Sequence, residues 1–263
     1  MAFGEKNVSL KAEKLCDIGV TAGINRRATG LMPMPMSKEN HEVLVAGSIK
    51  YTNLLLSIES RQSSCCLRIV SSARKTRSAI LIYRGRVIGC IYGEKGRDFQ
   101  LFGQEAYQEA VIDLAQPRTL IDAYLLSEEL VLAAAALFQG NTTVVQPTLP
   151  AEKLYCNTVN DLLAKRVVGC VVTNNNEGLA KCITYLFAGK IVGVYSFAKG
   201  YLVPILESGS GHSKNSPDDE IMVSTLSAVN EQEALNTTFS LTGLTDGTRI
   251  TRPITCETAR AES

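Results

Sequence analysis

The amino-acid sequence predicts an α+β fold: two tandem, related units of antiparallel sheet packed with helices, lying between disordered N- and C-terminal tails. Three observations carry this. The segment ILIYRGRVIGCIY at 80–92 aligns without a gap to TYLFAGKIVGVYS at 184–196, an offset of 104 residues that matches Gly85 to Gly189 and Gly89 to Gly193. The same offset sets the apolar run CCLRIV at 65–70 against GCVV at 169–172, each followed by a polar turn. An amphipathic stretch precedes each run, YTNLLLSIESRQ at 51–62 and NTVNDLLAKR at 157–166. Self-similarity at a fixed period marks a structural repeat.

The elements follow in chain order. Residues 1–41 read as a tail, because Pro33 and Pro35 in TGLMPMPMSKEN break any helix and no periodic pattern develops. The first unit is expected over 42–148 and the second, more divergent one over 149–241. Within each, two β-branched runs flank a tight turn, Arg84-Gly85 or Ala188-Gly189, whose second residue is a glycine able to take positive φ. Gly89 and Gly193 sit inside the return strand and mark a bulge or a close backbone approach. Asn157 is the expected N-cap of the helix opening the second unit.

Between the two copies, 101–115 places Ala106, Ala110, Val111 and Leu114 on one helix face, and Pro117 stops it. RTLIDAYLL at 118–126 reads as a strand. Ser127 then caps a helix through Phe138, with Glu128 and Glu129 in its first turn and Gly140 as its stop. That helix is apolar on most of its circumference, which suits a core helix or close packing against another copy or domain. IMVSTLSAV at 221–229 reads as strand or short helix. ESGSGHSKNSPD at 207–218 reads as a linker and 242–263 as a flexible tail.

Composition narrows the function. Lys and Arg number 27 against 26 Asp and Glu, so there is no overall basic field for nucleic acid. No apolar run approaches the ~18 residues of a membrane span, and the N-terminus lacks a secretory h-region, so a cytoplasmic protein is expected. The eight cysteines form no CxxC pair and fit no zinc spacing; most lie in apolar runs, as small buried hydrophobes in a reducing compartment do. Cys65 and Cys66, adjacent in a strand, point to opposite faces.

Motifs for catalysis are missing from the sequence. It has no P-loop and no GxGxxG after a strand. His212 lies in the linker without a positioned partner. Cys90, beside the strand glycine, is the best candidate nucleophile but has no histidine base nearby in sequence. The adjacent carboxylates Glu128-Glu129 and Asp218-Asp219-Glu220 do not face one another. No enzyme activity, cofactor or metal is therefore expected.

The first unit resembles the PATAN-type domain of PatA-like bacterial response regulators. The resemblance rests on LVAGSI at 44–49, NLLL at 53–56, CLRI at 66–69, ILIYRGRVI at 80–88 and GQEA at 103–106. It covers about 42–140, and reaches 150–205 only through the hairpin and the helix before it. The chain departs from the family in having Ser63-Ser64 where a glycine is usual, and in lacking a clear Gly-x-Glu-Ala helix in the second copy. The resemblance implies a mixed α+β fold without catalytic residues, working as an adaptor in two-component or motility signalling. A roadblock-type regulator of a small Ras-like GTPase is the alternative, sharing the compact sheet and the lack of catalytic motifs.

Either reading puts function in protein contacts. The candidate partner-binding residues are basic ones near turns: Arg74, Lys75, Arg77, Arg84, Arg86 and, in the second copy, Lys190. The expected partner is a regulatory protein, whether a response regulator, a motility component or a small GTPase. Self-association is compatible with this, and nucleic acid is disfavoured because Tyr83 and Tyr92 alone offer stacking surfaces.

Overall fold

The computed structural model describes residues 41–95, 100–139, 141–176, 180–196, 200–202, 218–226, 241 and 243–246. The first sheet comprises β1 (His41–Val45), β2 (Cys65–Ser71), β3 (Thr76–Tyr83), β4 (Arg86–Glu94), β5 (Leu101–Phe102) and β6 (Leu120–Leu125). The second comprises β7 (Asn141–Val144), β8 (Val168–Asn174), β9 (Ala180–Phe187), β10 (Lys190–Ser196), β11 (Gly200–Leu202) and β12 (Glu220–Leu226). The helices are α1 (Ile49–Ser60), α2 (Gly103–Leu114), α3 (Glu128–Gln139), α4 (Ala151–Ala164) and the single turn α5 (Gly243–Asp246).

The strand orders are β1-β6-β2-β3-β4-β5 and, read from the matching edge, β7-β12-β8-β9-β10-β11. These are the same order, with all described neighbours antiparallel. The repeat also extends to irregular details. The ladder skips Ile88 between Val87 and Gly89, and skips Val192 between Ile191 and Gly193, so one bulge recurs at equivalent places. Both hairpin turns carry two residues of positive φ, Arg84 and Gly85, then Ala188 and Gly189, the signature of a type I′ turn matched to strand twist. Gln62 and Arg166 end α1 and α4 in the left-handed region. Each terminus closes in a Schellman pattern, with Ser63 N–H donating to the Ile58 carbonyl and Val167 N–H to that of Leu162.

The layers stack as α1 and α2, first sheet, α3, second sheet, α4. Leu67, Ile69, Ile80 and Ile82 face α1 and α2, joined there by Tyr51, Leu55, Ala106 and Ala110. Their neighbours Cys66, Ala79, Leu81 and Ile88 face α3, as do Val172, Ile183, Tyr185 and Met222 of the second sheet. The two faces of α3 thus meet two different sheets. This is why SEELVLAAAALF is apolar around its circumference: Ala133 to Ala136 are all fully buried, and their small side chains let both sheets approach. Cys65 and Cys66 fall in the outer and inner core respectively, as strand alternation requires.

Four boundaries differ from the sequence reading. His41, placed in the tail, begins β1 and pairs with Tyr124. β7, placed in the first unit by the 148/149 boundary, pairs with β12 in the second sheet. α4 begins at Ala151 behind Pro150, six residues before the expected cap, so Asn157 is an exposed mid-helix residue; proline at a helix start loses no hydrogen bond. Gly243 and Leu244, assigned to the flexible tail, are buried against the first unit. Most of the remaining tail and linker assignments, with His212, lie outside the described residues.

Candidate functional site

The basic residues do not form one patch. The β2–β3 turn carries Arg74 and Lys75, and the β3–β4 turn carries Arg84 with Arg86 beside it. Eight residues of β3 separate the two turns, about 26 Å of strand, so they lie at opposite ends of the sheet. Lys190 opens β10 at the place Arg86 holds in β4. Lys75, Arg77, Arg86 and Lys190 are exposed.

Arg74 and Arg84 are engaged internally. Arg74 Nη2 lies 2.6 Å from Glu109 Oε2 and its Nη1 lies 2.9 Å from Asp113 Oδ1. Asp113 is fully buried on α2 and also accepts a 2.5 Å hydrogen bond from Thr76 Oγ1. Burial raises the Asp113 carboxyl above its ordinary value, against the opposing pull of Thr76 and Arg74. This cluster ties the β2–β3 turn to α2. Arg84 makes a two-pronged pair with Glu128, Nε to Oε1 at 2.9 Å and Nη2 to Oε2 at 2.8 Å, and stacks over Tyr83. Glu128 sits in the first turn of α3, where the helix dipole favours a carboxylate.

The surface the basic-residue reading missed is apolar. Leu44, Ile121 and Ala123 face the α1–α2 core, so Val43 and Val45 of β1 and Leu120 of β6 face the α3 side. There α3 packs on β3 and β4 and leaves this edge open: Val43 is 56% exposed, Val45 45% and Leu120 43%. The ladder sets Val45 against Leu120, Leu120 against Val70, and Val70 against Arg77. One row thus crosses four strands and ends on Arg77. The next row sets Val43 against Asp122 and Asp122 against Arg68, and Arg68 Nη1 donates to the Tyr124 hydroxyl at 3.3 Å. The result is an apolar strip with a charged border. It adjoins β1, which pairs with β6 alone among the described strands. The sequence signal was HEVLV itself: a half-buried edge strand should alternate, and this one is apolar on both faces.

Five of the six described cysteines are withdrawn from the surface, and Cys156, on α4, is an exposed free thiol. Cys65, Cys66, Cys90, Cys170 and Cys182 are buried free thiols. Burial pushes Cys66 up to about 12, Cys182 up to about 11 and Cys90 well above its ordinary value, the reverse of what an activated thiolate needs. Among the described residues no group of three His, Cys, Asp or Glu is arranged to hold a metal ion. No helix among them is long and apolar enough to cross a membrane.

Comparison with family models, curated proteins and solved structures finds no match to this chain.

Proposed function

We propose that this chain is a non-enzymatic cytosolic signalling adaptor that binds another regulatory protein, a component of a two-component or motility pathway, through the strip of Val43, Val45, Leu120 and Val70 beside the open β1 edge. The observation that carries the reading is that strip: contiguous apolar side chains, exposed on β1 and β6, with a charged border beside a strand edge that no further described strand pairs, form a surface suited to a protein partner. The likeness of the first unit to PATAN-type domains supports the class of partner, and the burial of Cys90, the best candidate nucleophile in the sequence, favours binding over catalysis. Arg77, at the end of the strip, is the sequence-predicted basic residue that belongs to this surface; Arg74 and Arg84 act within the fold.

The test is capture from native lysate with quantitative mass spectrometry, using the full chain and its Val45→Glu/Leu120→Glu variant as baits. The wild type is expected to recover a response regulator or motility component and the variant to lose it, while Arg84→Ala retains it. Equal recovery by wild type and strip variant would remove the strip from the function. The open β1 edge favours one second reading, a roadblock-type regulator of a small Ras-like GTPase; recovery of such a GTPase by a dimeric bait would select it.

A further inference from the structure

β12 ends at Leu226 in the second sheet, yet Leu241 and α5 lie on the outer face of the first sheet, with α5 packed on α2. Leu241 and Leu244 are both buried there, 7% and 1% exposed. The Leu244 N–H closes the turn onto the Leu241 carbonyl at 3.0 Å. The Leu244 carbonyl accepts a buried hydrogen bond from the Tyr51 hydroxyl on α1 at 3.3 Å. This segment therefore meets the first unit as a peptide ligand would, with two leucines three residues apart across one hydrogen-bonded turn and one backbone carbonyl.

The repeat shows that the slot is built for such an occupant. At the offset of 104 residues the counterpart of Tyr51 is Tyr155, on α4. The Tyr155 hydroxyl bonds Thr184 Oγ1 of β9 within its own unit. The counterpart of Thr184 in the first unit is Ile80, which offers no polar side-chain atom. Tyr51 is 2% exposed, and the side chain at the equivalent place in its own unit offers no acceptor, so among the described residues its hydroxyl turns to the Leu244 carbonyl. A buried hydroxyl left without a partner is costly, so a carbonyl at this point is a requirement of the slot.

We propose that the slot beside α1 and α2 is a docking site for a short turn carrying leucines at i and i+3, filled in cis by Leu241 and α5 and open to a partner segment of the same chemistry. Recognition is by two apolar side chains and one carbonyl, so it transfers to any chain that presents them. The occupant is displaceable because burial of two leucines is comparable in size to the conformational entropy lost in ordering half a dozen residues. Because the occupant belongs to the same chain, its docking is intramolecular, and a partner has to exceed that effective concentration. The site lies on the opposite face of the first sheet from the strip of Val43, Val45 and Leu120 and does not depend on that reading.

The experiment titrates a fluorescently labelled peptide spanning residues 236–247 into the full chain and follows anisotropy. The Leu241→Ser/Leu244→Ser variant, with its slot vacated, is expected to bind saturably and at least tenfold more tightly than the wild type. Adding Tyr51→Phe should weaken that binding about three- to tenfold, and a peptide with both leucines changed to serine should not bind. Equal binding by wild type and vacated variant, or no binding by a folded variant up to millimolar peptide, overturns the proposal. Hydrogen exchange on the wild type gives a test independent of variant folding. The Leu244 amide should exchange through a local, denaturant-insensitive opening at least a hundredfold faster than amides of β2 and β3. Exchange of Leu244 only on global unfolding would make the segment a fixed part of the core and end the idea.

Discussion

Gly169 is the position where one added carbon should cost the fold most. It lies in β8, between Leu186 of β9 and Thr225 of β12. A Cβ built there comes within reach of three backbone atoms of β12: the Ser224 carbonyl oxygen at under 2.5 Å, Thr225 Cα at 2.9 Å and the Ser224 carbonyl carbon at 3.1 Å. Rotating a side chain cannot relieve contacts with backbone, so Gly169→Ala has to push β12 away from β8 by about 1 Å. A shift of that size breaks ladder hydrogen bonds that begin near 2.9 Å. The expected loss is about 3 kcal/mol, the upper end for overpacking, or a fall in melting midpoint of roughly 6–12 °C. Gly89 is the internal control. The three atoms nearest a Cβ there all belong to Phe138, at 3.5 to 3.8 Å, which is ordinary contact. Gly89→Ala should stay within about 0.5 kcal/mol of wild type. Urea denaturation of the three proteins, followed by far-UV circular dichroism, decides it. A Gly169→Ala loss below about 1 kcal/mol, or one matched by Gly89→Ala, would refute the reasoning.

Three further outcomes follow from the geometry. Arg74→Met leaves Asp113 buried without its ion pair, at a cost on the order of 2 kcal/mol after allowing for the partial exposure of Arg74. Because the folded-state pKa of Asp113 already lies above its unfolded value and rises further without Arg74, the deficit should be largest at neutral pH. It should shrink as pH falls toward the ordinary carboxylate range; a pH-independent deficit in urea midpoints between pH 4 and 8 would contradict this. Ala188→Asn places a residue suited to the left-handed region at φ +48° of the second hairpin and should gain about 0.5–1 kcal/mol by thermal melting. Arg84→Ala removes a solvent-exposed ion pair and should move the melting midpoint by less than about a degree.

The repeat was legible because turn chemistry and strand alternation leave marks on individual residues. The type I′ hairpin needs positive φ at its centre, and Gly85 and Gly189 announce it at fixed spacing. Gly89 and Gly193 announced a bulge, which falls on the residue before each. The close approach was not legible. It occurs at Gly169, whose counterpart in the first unit is Cys65, so the repeat gave no warning, and only the packing of β12 against β8 explains the glycine. The relative placement of the basic candidates was not legible for a related reason: consecutive turns of a meander fall at opposite ends of the strand between them, which only the strand order decides. The apolar strip was visible as VLV in an edge strand, and became meaningful only when β6 and β1 proved to be neighbours. The docked segment had no local signal: two leucines in a polar stretch are buried beside Tyr51, nearly two hundred residues earlier, whose counterpart Tyr155 bonds Thr184 instead.

That asymmetry between the units bears on how the molecule works. Two copies of one architecture would ordinarily offer two equivalent surfaces, but here their inner faces are both spent on α3, which neither unit could bury alone. A helix fully buried on two sides couples the sheets, so that separating the units would expose the alanine row and both inner faces at once, a cost far above the stability of an ordinary domain. Rigid-body opening between the units is therefore disfavoured. What differs between the units is at their outer faces. Tyr155 is satisfied within its own unit, whereas Tyr51 takes its acceptor from a segment tethered to the other unit. On the proposal above, exchange at the Tyr51 slot needs no movement of either sheet and is the change the fold can make at least cost.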